Sequence, residues 1–99
     1  MCVTTHATAA TFLIDLTNES AQREALNKAI VPGVRSTPGV VAGTWTLDRD
    51  RSETLVMITY ETQEAAEAMA NNIRANADNQ RASGLELVEV RILEVVATT

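Results

Sequence analysis

The chain has 99 residues, room for one domain, and folding at that size buries roughly two-thirds of the unfolded surface. Its 45% hydrophobic and 21% charged content fits a folded domain and excludes a disordered chain. The formal charge of -5, with no face that gathers Lys and Arg, argues against a nucleic-acid partner, because such binding works by neutralising phosphates.

Only three aromatics occur, Phe12, Trp45 and Tyr60, so the core has to be made mostly of Val, Leu, Ile, Met and Ala. Cys2 is the only cysteine; it has no partner for an intrachain disulfide and reads as an incidental thiol. Met1 to Ala10 lacks the basic and apolar regions of a secretory signal, and no apolar run approaches the roughly 20 residues of a membrane span. The expectation is a cytoplasmic protein without a membrane partner, with residues 1–9 as a tail and 10–97 as the domain.

In chain order, Ala10 to Leu16 alternates and predicts a strand, Phe12, Ile14 and Leu16 pointing one way and Thr11, Leu13 and Asp15 the other. Thr17 to Ser20 supplies capping side chains for a helix with Ala25, Leu26, Ala29 and Ile30 as its apolar stripe. Pro32-Gly33 either stops that helix near Val31 or bends it on to about Ser36, and Pro38-Gly39 is a clean break. Val40 to Asp48 and Glu53 to Tyr60 form a hairpin through Asp48 to Ser52; Val41, Gly43, Trp45 and Leu47 share one face of its first strand. Thr62 caps a second helix whose buried stripe is Ala66, Met69, Ile73 and Ala77, weakened by asparagines toward Gln80. After Ser83-Gly84, Leu85 to Val96 is a long strand whose alternation slips near Leu93, the mark of a bulge.

The order βαββαβ predicts an α+β, ferredoxin-like domain: a four-stranded antiparallel sheet with two helices on one face. The opposite face then carries Leu13, Leu55, Met57, Leu93 and Val95, and such a patch calls for a partner. A homodimer joined through the open sheet face, a dimeric α/β barrel, follows as the expectation. Asp15 and Arg91 are expected either to pair across neighbouring strands or to be exposed.

Pro38-Gly39-Val40, the strand ending Ile58-Thr-Tyr-Glu-Thr62 and the helix start Glu64-Ala-Ala-Glu-Ala-Met69 resemble the dimeric α/β barrel superfamily, most closely its antibiotic-biosynthesis-monooxygenase-like domains. The resemblance covers about residues 10–96 and implies that fold. The family includes haem-degrading enzymes and cofactor-independent monooxygenases. The positions where the haem degraders carry their Asn, aromatic and His fall here on Phe12, Met69 and Ala75 to Asn79, so haem degradation is not expected.

The cofactor-independent members hold an electron-rich phenol in an apolar pocket between sheet and helices. By that resemblance Phe12, Ile14, Tyr60, Met69 and Ile73 line a pocket for a small hydrophobic ligand, and Tyr60 and Trp45 are the catalytic candidates, with no cofactor and no metal. Each has a structural alternative: Met69 as core filler, Tyr60 as packing aromatic, Trp45 as cover for an edge strand or dimer rim, and His6 as a tail residue. The activity implied is oxygenation of a small aromatic or polyketide-like molecule, the alternative a non-catalytic ligand-binding or stress-associated homodimer.

Overall fold

Alternating, β-branched runs give four strands in the computed structural model, which describes residues 3–99: β1 (His6–Ile14), β2 (Val40–Asp48), β3 (Glu53–Tyr60) and β4 (Leu85–Glu94). They form one antiparallel sheet in the order β2-β3-β1-β4. Two helical arms link β1 to β2 and β3 to β4, which completes the expected βαββαβ order. No helix among the described residues is long and apolar enough to cross a membrane. Cys2 lies outside the described residues.

β1 begins earlier than its apolar pattern suggests. His6 to Ala9, expected in a tail, pair with both β3 and β4, and the Val95 amide donates to the Thr5 carbonyl at 2.8 Å. Small Ala and Thr side chains carry no hydrophobic signal, but two long flanking strands supply backbone partners on both sides. At its other end β1 stops at Ile14, because the Asp15 carboxylate accepts from the Thr17 amide and caps a 3-10 turn, Leu16–Asn18. Leu16 therefore leaves the strand. The expected Asp15–Arg91 pair does not form: Arg91 sits opposite Ala9 and pairs with Glu89 at 3.6 Å.

Two bulges keep the apolar side chains on one face. Val88 is the extra residue on β4, so Leu85 and Leu87 before it, and Val90 and Ile92 after it, lie opposite Ile14, Phe12, Ala10 and Thr8. The slip thus falls at Val88 and not near Leu93. Val41 is the extra residue on β2, which puts Val40 on the face of Trp45 and Gly43, a correction to the simple alternation.

The first arm continues past Pro32. After the 3-10 turn come α1 (Glu19–Ala25), a π-turn (Leu26–Ile30) and α2 (Val31–Arg35). Proline has no amide to donate to the carbonyl four residues back, and its ring crowds that turn. The chain widens instead: the Val31 amide bonds the Leu26 carbonyl, one residue further back than in an α-helix. The second arm is α3 (Gln63–Ala75), capped by the Thr62 hydroxyl on the Ala65 amide, and then α4 (Ala77–Ala82) beyond a break at Asn76.

The core lies between the sheet and the second arm. Ala66 and Ala70 of α3 are fully buried against Ala10, Phe12, Val56, Ile58, Tyr60 and Val90. Gly39, at φ +87°, makes the turn into β2 beneath α3, where a Cβ would come within 2.8 Å of the Ala65 Cβ. The first arm behaves differently. It contributes no buried residue, and only α2, through its packing on β2, sits close to the sheet.

Candidate functional site

The space left under the first arm is a cavity of about 650 Å³, open to solvent on one side. Its floor is the helix-facing side of the sheet, with Phe12, Ile14, Trp45, Val56 and Ile58 among its side chains. Met69 and Ile73 of α3 form one wall, and Leu26, Ile30 and Val34 of the first arm form the other. The latter three recur every four residues, a spacing that the π-turn and Pro32 leave in phase. Ala25 and Ala29, expected in the buried stripe, are exposed.

Four of the five sequence-predicted lining residues, Phe12, Ile14, Met69 and Ile73, are brought together here, along with Trp45. Tyr60 is not. It is fully buried in the core beyond the cavity, with its hydroxyl 2.8 Å from the Thr8 hydroxyl. Burial pushes its phenol above the ordinary tyrosine range, against a smaller opposing effect of the Thr8 hydrogen bond. Tyr60 is therefore a neutral packing residue at neutral pH. His6 is a strand residue whose ring nitrogen meets the Thr5 hydroxyl, and it does not line the cavity.

Trp45 owes its position to a glycine. Gly43 is two residues earlier on the same face, and a Cβ there would come within 3.0 Å of the six-membered ring of the indole. The ring thus lies across the bare backbone of Gly43 at the cavity floor.

The cavity also has a polar end that apolar periodicity did not reveal, lined by Glu19, Gln22, Arg23, Asn72, Asn76 and Gln80. Glu19 is clamped: Arg49 of the β2–β3 hairpin bonds it through two nitrogens at 2.7 and 3.1 Å, and Arg23 approaches at 2.9 Å. The Arg49 hydrogen bond, helped by the charges of both arginines, holds the Glu19 carboxyl below its usual range. Gln22 donates from Nε2 to the carbonyls of Ser83 (3.0 Å) and Asp15 (3.4 Å). Gly84, at φ +86°, leaves room for that reach; a Cβ there would sit 2.8 Å from the Gln22 nitrogen. Gln80 donates to the Ile73 carbonyl at 3.1 Å across the α3–α4 break. Both glutamines leave a buried Oε1 without a hydrogen-bond partner.

A helical polar residue normally reads as solvated, which hid these two. The available signal was spacing: Gln22 lies one turn before Leu26, and Gln80 two turns after Ile73. Among the described residues no group of His, Cys, Asp and Glu could hold a metal ion.

A ferredoxin-like α+β sheet with two helical arms on one face, enclosing a sheet–arm cavity, is the class of molecule this geometry defines. Its fold is that of antibiotic-biosynthesis-monooxygenase-like domains. No family model and no curated protein matches the chain. Among solved structures it is similar to a Nitrosomonas europaea protein of unknown function, NE2512, with 20% identity and a TM-score of 0.71 over 97% of this chain and 93% of that one. It is also similar to a Streptomyces coelicolor monooxygenase from the gene ActVA-Orf6, solved with nanaomycin D (14% identity, TM-score 0.68, 97% and 91% covered). A Deinococcus radiodurans protein provisionally described as an antibiotic biosynthesis monooxygenase matches at 12% identity and a TM-score of 0.65, over 95% and 93%. At these identities the likeness shows the fold alone.

Proposed function

We propose that this protein binds a small aromatic or polyketide-like molecule in the cavity beneath its first helical arm and oxygenates it with dioxygen, without a cofactor. The cavity carries the binding half. Its volume lies within the roughly 300–1,000 Å³ of small-molecule sites, and its apolar walls end in a few polar groups. Trp45 and Phe12 put two aromatic side chains among the residues that line it.

The likeness to the S. coelicolor monooxygenase supports the reaction half. An electron-rich hydroxylated ring with an adjacent CH2 group can supply every electron the reaction needs. One oxygen atom becomes the new carbonyl at that carbon; the other leaves as water with both hydrogens of the CH2. The protein would position the ring and exclude solvent.

A second reading, binding without chemistry, is favoured by one observation. The ionisable side chains lining the cavity are Glu19 and Arg23, and Glu19 is already held by two arginines. Oxygen uptake with a hydroxylated anthrone separates the two. The oxygenase reading expects one O2 consumed per quinone formed, above the spontaneous rate, and loss of that rate when Ile73→Trp fills the cavity. Binding of the anthrone with uptake at the spontaneous rate would leave the non-catalytic reading.

A homodimer through the open sheet face belongs to the same proposal. Leu13, Leu55 and Met57 are 43%, 45% and 49% exposed on that face, and Leu55 and Met57 line a depression of about 400 Å³ there. A second copy would cover them. Sedimentation should give a dimer at micromolar concentration and a monomer for Met57→Lys; a monomeric parent chain would rule this assembly out.

A further inference from the structure

α1 is held to the protein differently from the other three helices. α2 packs on β2, α3 on β1, β3 and β4, and α4 on β4. α1 has no such packing on the sheet or on the second arm, and it buries no residue. Side chains hold it instead: Gln22 on the carbonyls of Ser83 and Asp15, and Glu19 on Arg49 at 2.7 and 3.1 Å. Both ends of α1 are also irregular, with the 3-10 turn Leu16–Asn18 before it and the π-turn Leu26–Ile30 after it. Where the regular hydrogen-bond ladder changes pitch, bending of a helix concentrates.

Arg49 stands on firmer ground than α1. Its hairpin turn is tied to the sheet by the Ser52 carbonyl, which accepts from the Ile14 amide at 2.9 Å, and is braced by the Asp48 carboxylate, which accepts from the Arg51 amide at 3.2 Å. Glu19 and Arg23 line the cavity from the α1 side, and Thr46, Leu47 and Thr54 line it from the hairpin strands. The Glu19–Arg49 clamp bridges these two sides. If it parts, Glu19 is not stranded, because Arg23 belongs to α1 itself and stays with it at 2.9 Å. The Arg49 side chain is 59% exposed, so dissolved ions reach the clamp and screen it.

We propose that the Glu19–Arg49 clamp is the latch of a lid: α1 swings on the turns at its two ends, shutting the cavity on the hairpin side when the clamp is made and admitting a ligand when it parts. The inference rests on the cavity being the binding site and supplies its control. A shut lid keeps solvent from the bound molecule, and ionic strength sets how fast that molecule enters and leaves. Arg49 does not line the cavity, so the latch delays entry and exit alike and leaves affinity unchanged.

Stopped-flow mixing with N-phenyl-1-naphthylamine, an uncharged aromatic probe whose emission rises in apolar surroundings, tests this. Raising sodium chloride from about 20 mM to about 500 mM should speed association and dissociation by the same factor, about two- to fivefold, the bias an exposed ion pair can supply. Arg49→Met keeps the aliphatic stem and loses the guanidinium; it should be fast at both salt levels, with the Kd of the unaltered chain. Rates that respond neither to salt nor to Arg49→Met would overturn the latch and leave the cavity standing. Affinity lost in Arg49→Met at an unchanged association rate would make Arg49 a binding residue and overturn the latch as well. No binding, or binding that Ile73→Trp does not remove, would overturn the cavity reading and the latch with it. The salt series uses the unaltered chain, so it decides the matter even if Arg49→Met fails to fold.

Discussion

The two helical arms cover the same face of the sheet by opposite means. The second arm meets it through Ala66 and Ala70, both fully buried, and small side chains let a helix axis come down close to the strands. The first arm presents Leu26, Ile30 and Val34 yet buries none of them completely, because it spans the cavity and only its α2 end packs on the sheet, at β2. At this end polar struts hold it: Glu19 to Arg49 on the hairpin, and Gln22 to the carbonyls of Ser83 and Asp15. One arm makes the fold stable; the other makes room. A thin core in a short chain can leave a cavity of this size only where it is not also relying on that helix for burial.

The largest expected effect tests this division directly. Ala70→Leu forces a larger side chain into the closed interface and should destabilise the protein by about 1–3 kcal/mol. Leu26→Ala, on the standing arm, removes atoms that already face open space and should cost less than about 1 kcal/mol. Urea unfolding of both variants decides it: a larger loss for Leu26→Ala than for Ala70→Leu would mean the first arm carries the core after all.

Tyr60 sharpens the boundary between the two regions. Tyr60→Phe removes the hydroxyl that meets Thr8 and leaves the buried Thr8 hydroxyl unpartnered, which should cost about 1–2 kcal/mol and leave ligand binding in the cavity unchanged. The pH dependence has a definite sign. Burial raises the Tyr60 phenol in the folded state, so its stabilisation is complete below the ordinary tyrosine value near 10 and is lost as pH rises through the folded value. Tyr60 is the only tyrosine in the chain, so phenolate absorbance follows this one group. A titration at the ordinary value in the folded protein would contradict its placement in the core.

The strands and the apolar half of the site were legible in the sequence for one reason: both are written in hydrophobic period. Phe12, Ile14 and Trp45 alternate along strands, and Met69 and Ile73 recur at helical spacing, so their inward faces follow from period, whereas the expectation that Phe12, Ile14, Met69 and Ile73 wall a pocket is what the family resemblance implies. Other features follow a different logic. His6 to Ala9 join the sheet through backbone bonds to both neighbours, which Ala and Thr side chains do not announce. The bulges at Val41 and Val88 are visible only once the partner strand fixes the register. Tyr60 and Trp45 are alike in sequence, each an aromatic on a strand. A distance along the sheet separates a core phenol from a cavity indole, and no local pattern encodes it. Gln22 and Gln80 are not announced by any apolar pattern, because their partners are backbone carbonyls and a side-chain sequence carries no mark of those.

The smallest expected effect concerns the same contrast at a single atom. Pro32-Gly33 has the composition of a helix end, yet the first arm runs through it, because the π-turn absorbs the missing proline amide. Gly33 then sits in α2 outside the left-handed region, and a Cβ there would meet nothing within 4 Å. Alanine has fewer backbone conformations to lose on folding, so Gly33→Ala should stabilise the protein by about 0.4–1 kcal/mol. Ligand affinity should hold within error, since Gly33 does not line the cavity. The open space around Gly33 shows that its side of α2 is turned away from β2, on which that helix packs. Urea unfolding measures it: a stabilised variant would support the open surroundings of Gly33 in a continuous helix, and a destabilised one would mean that this side of α2 meets a neighbour.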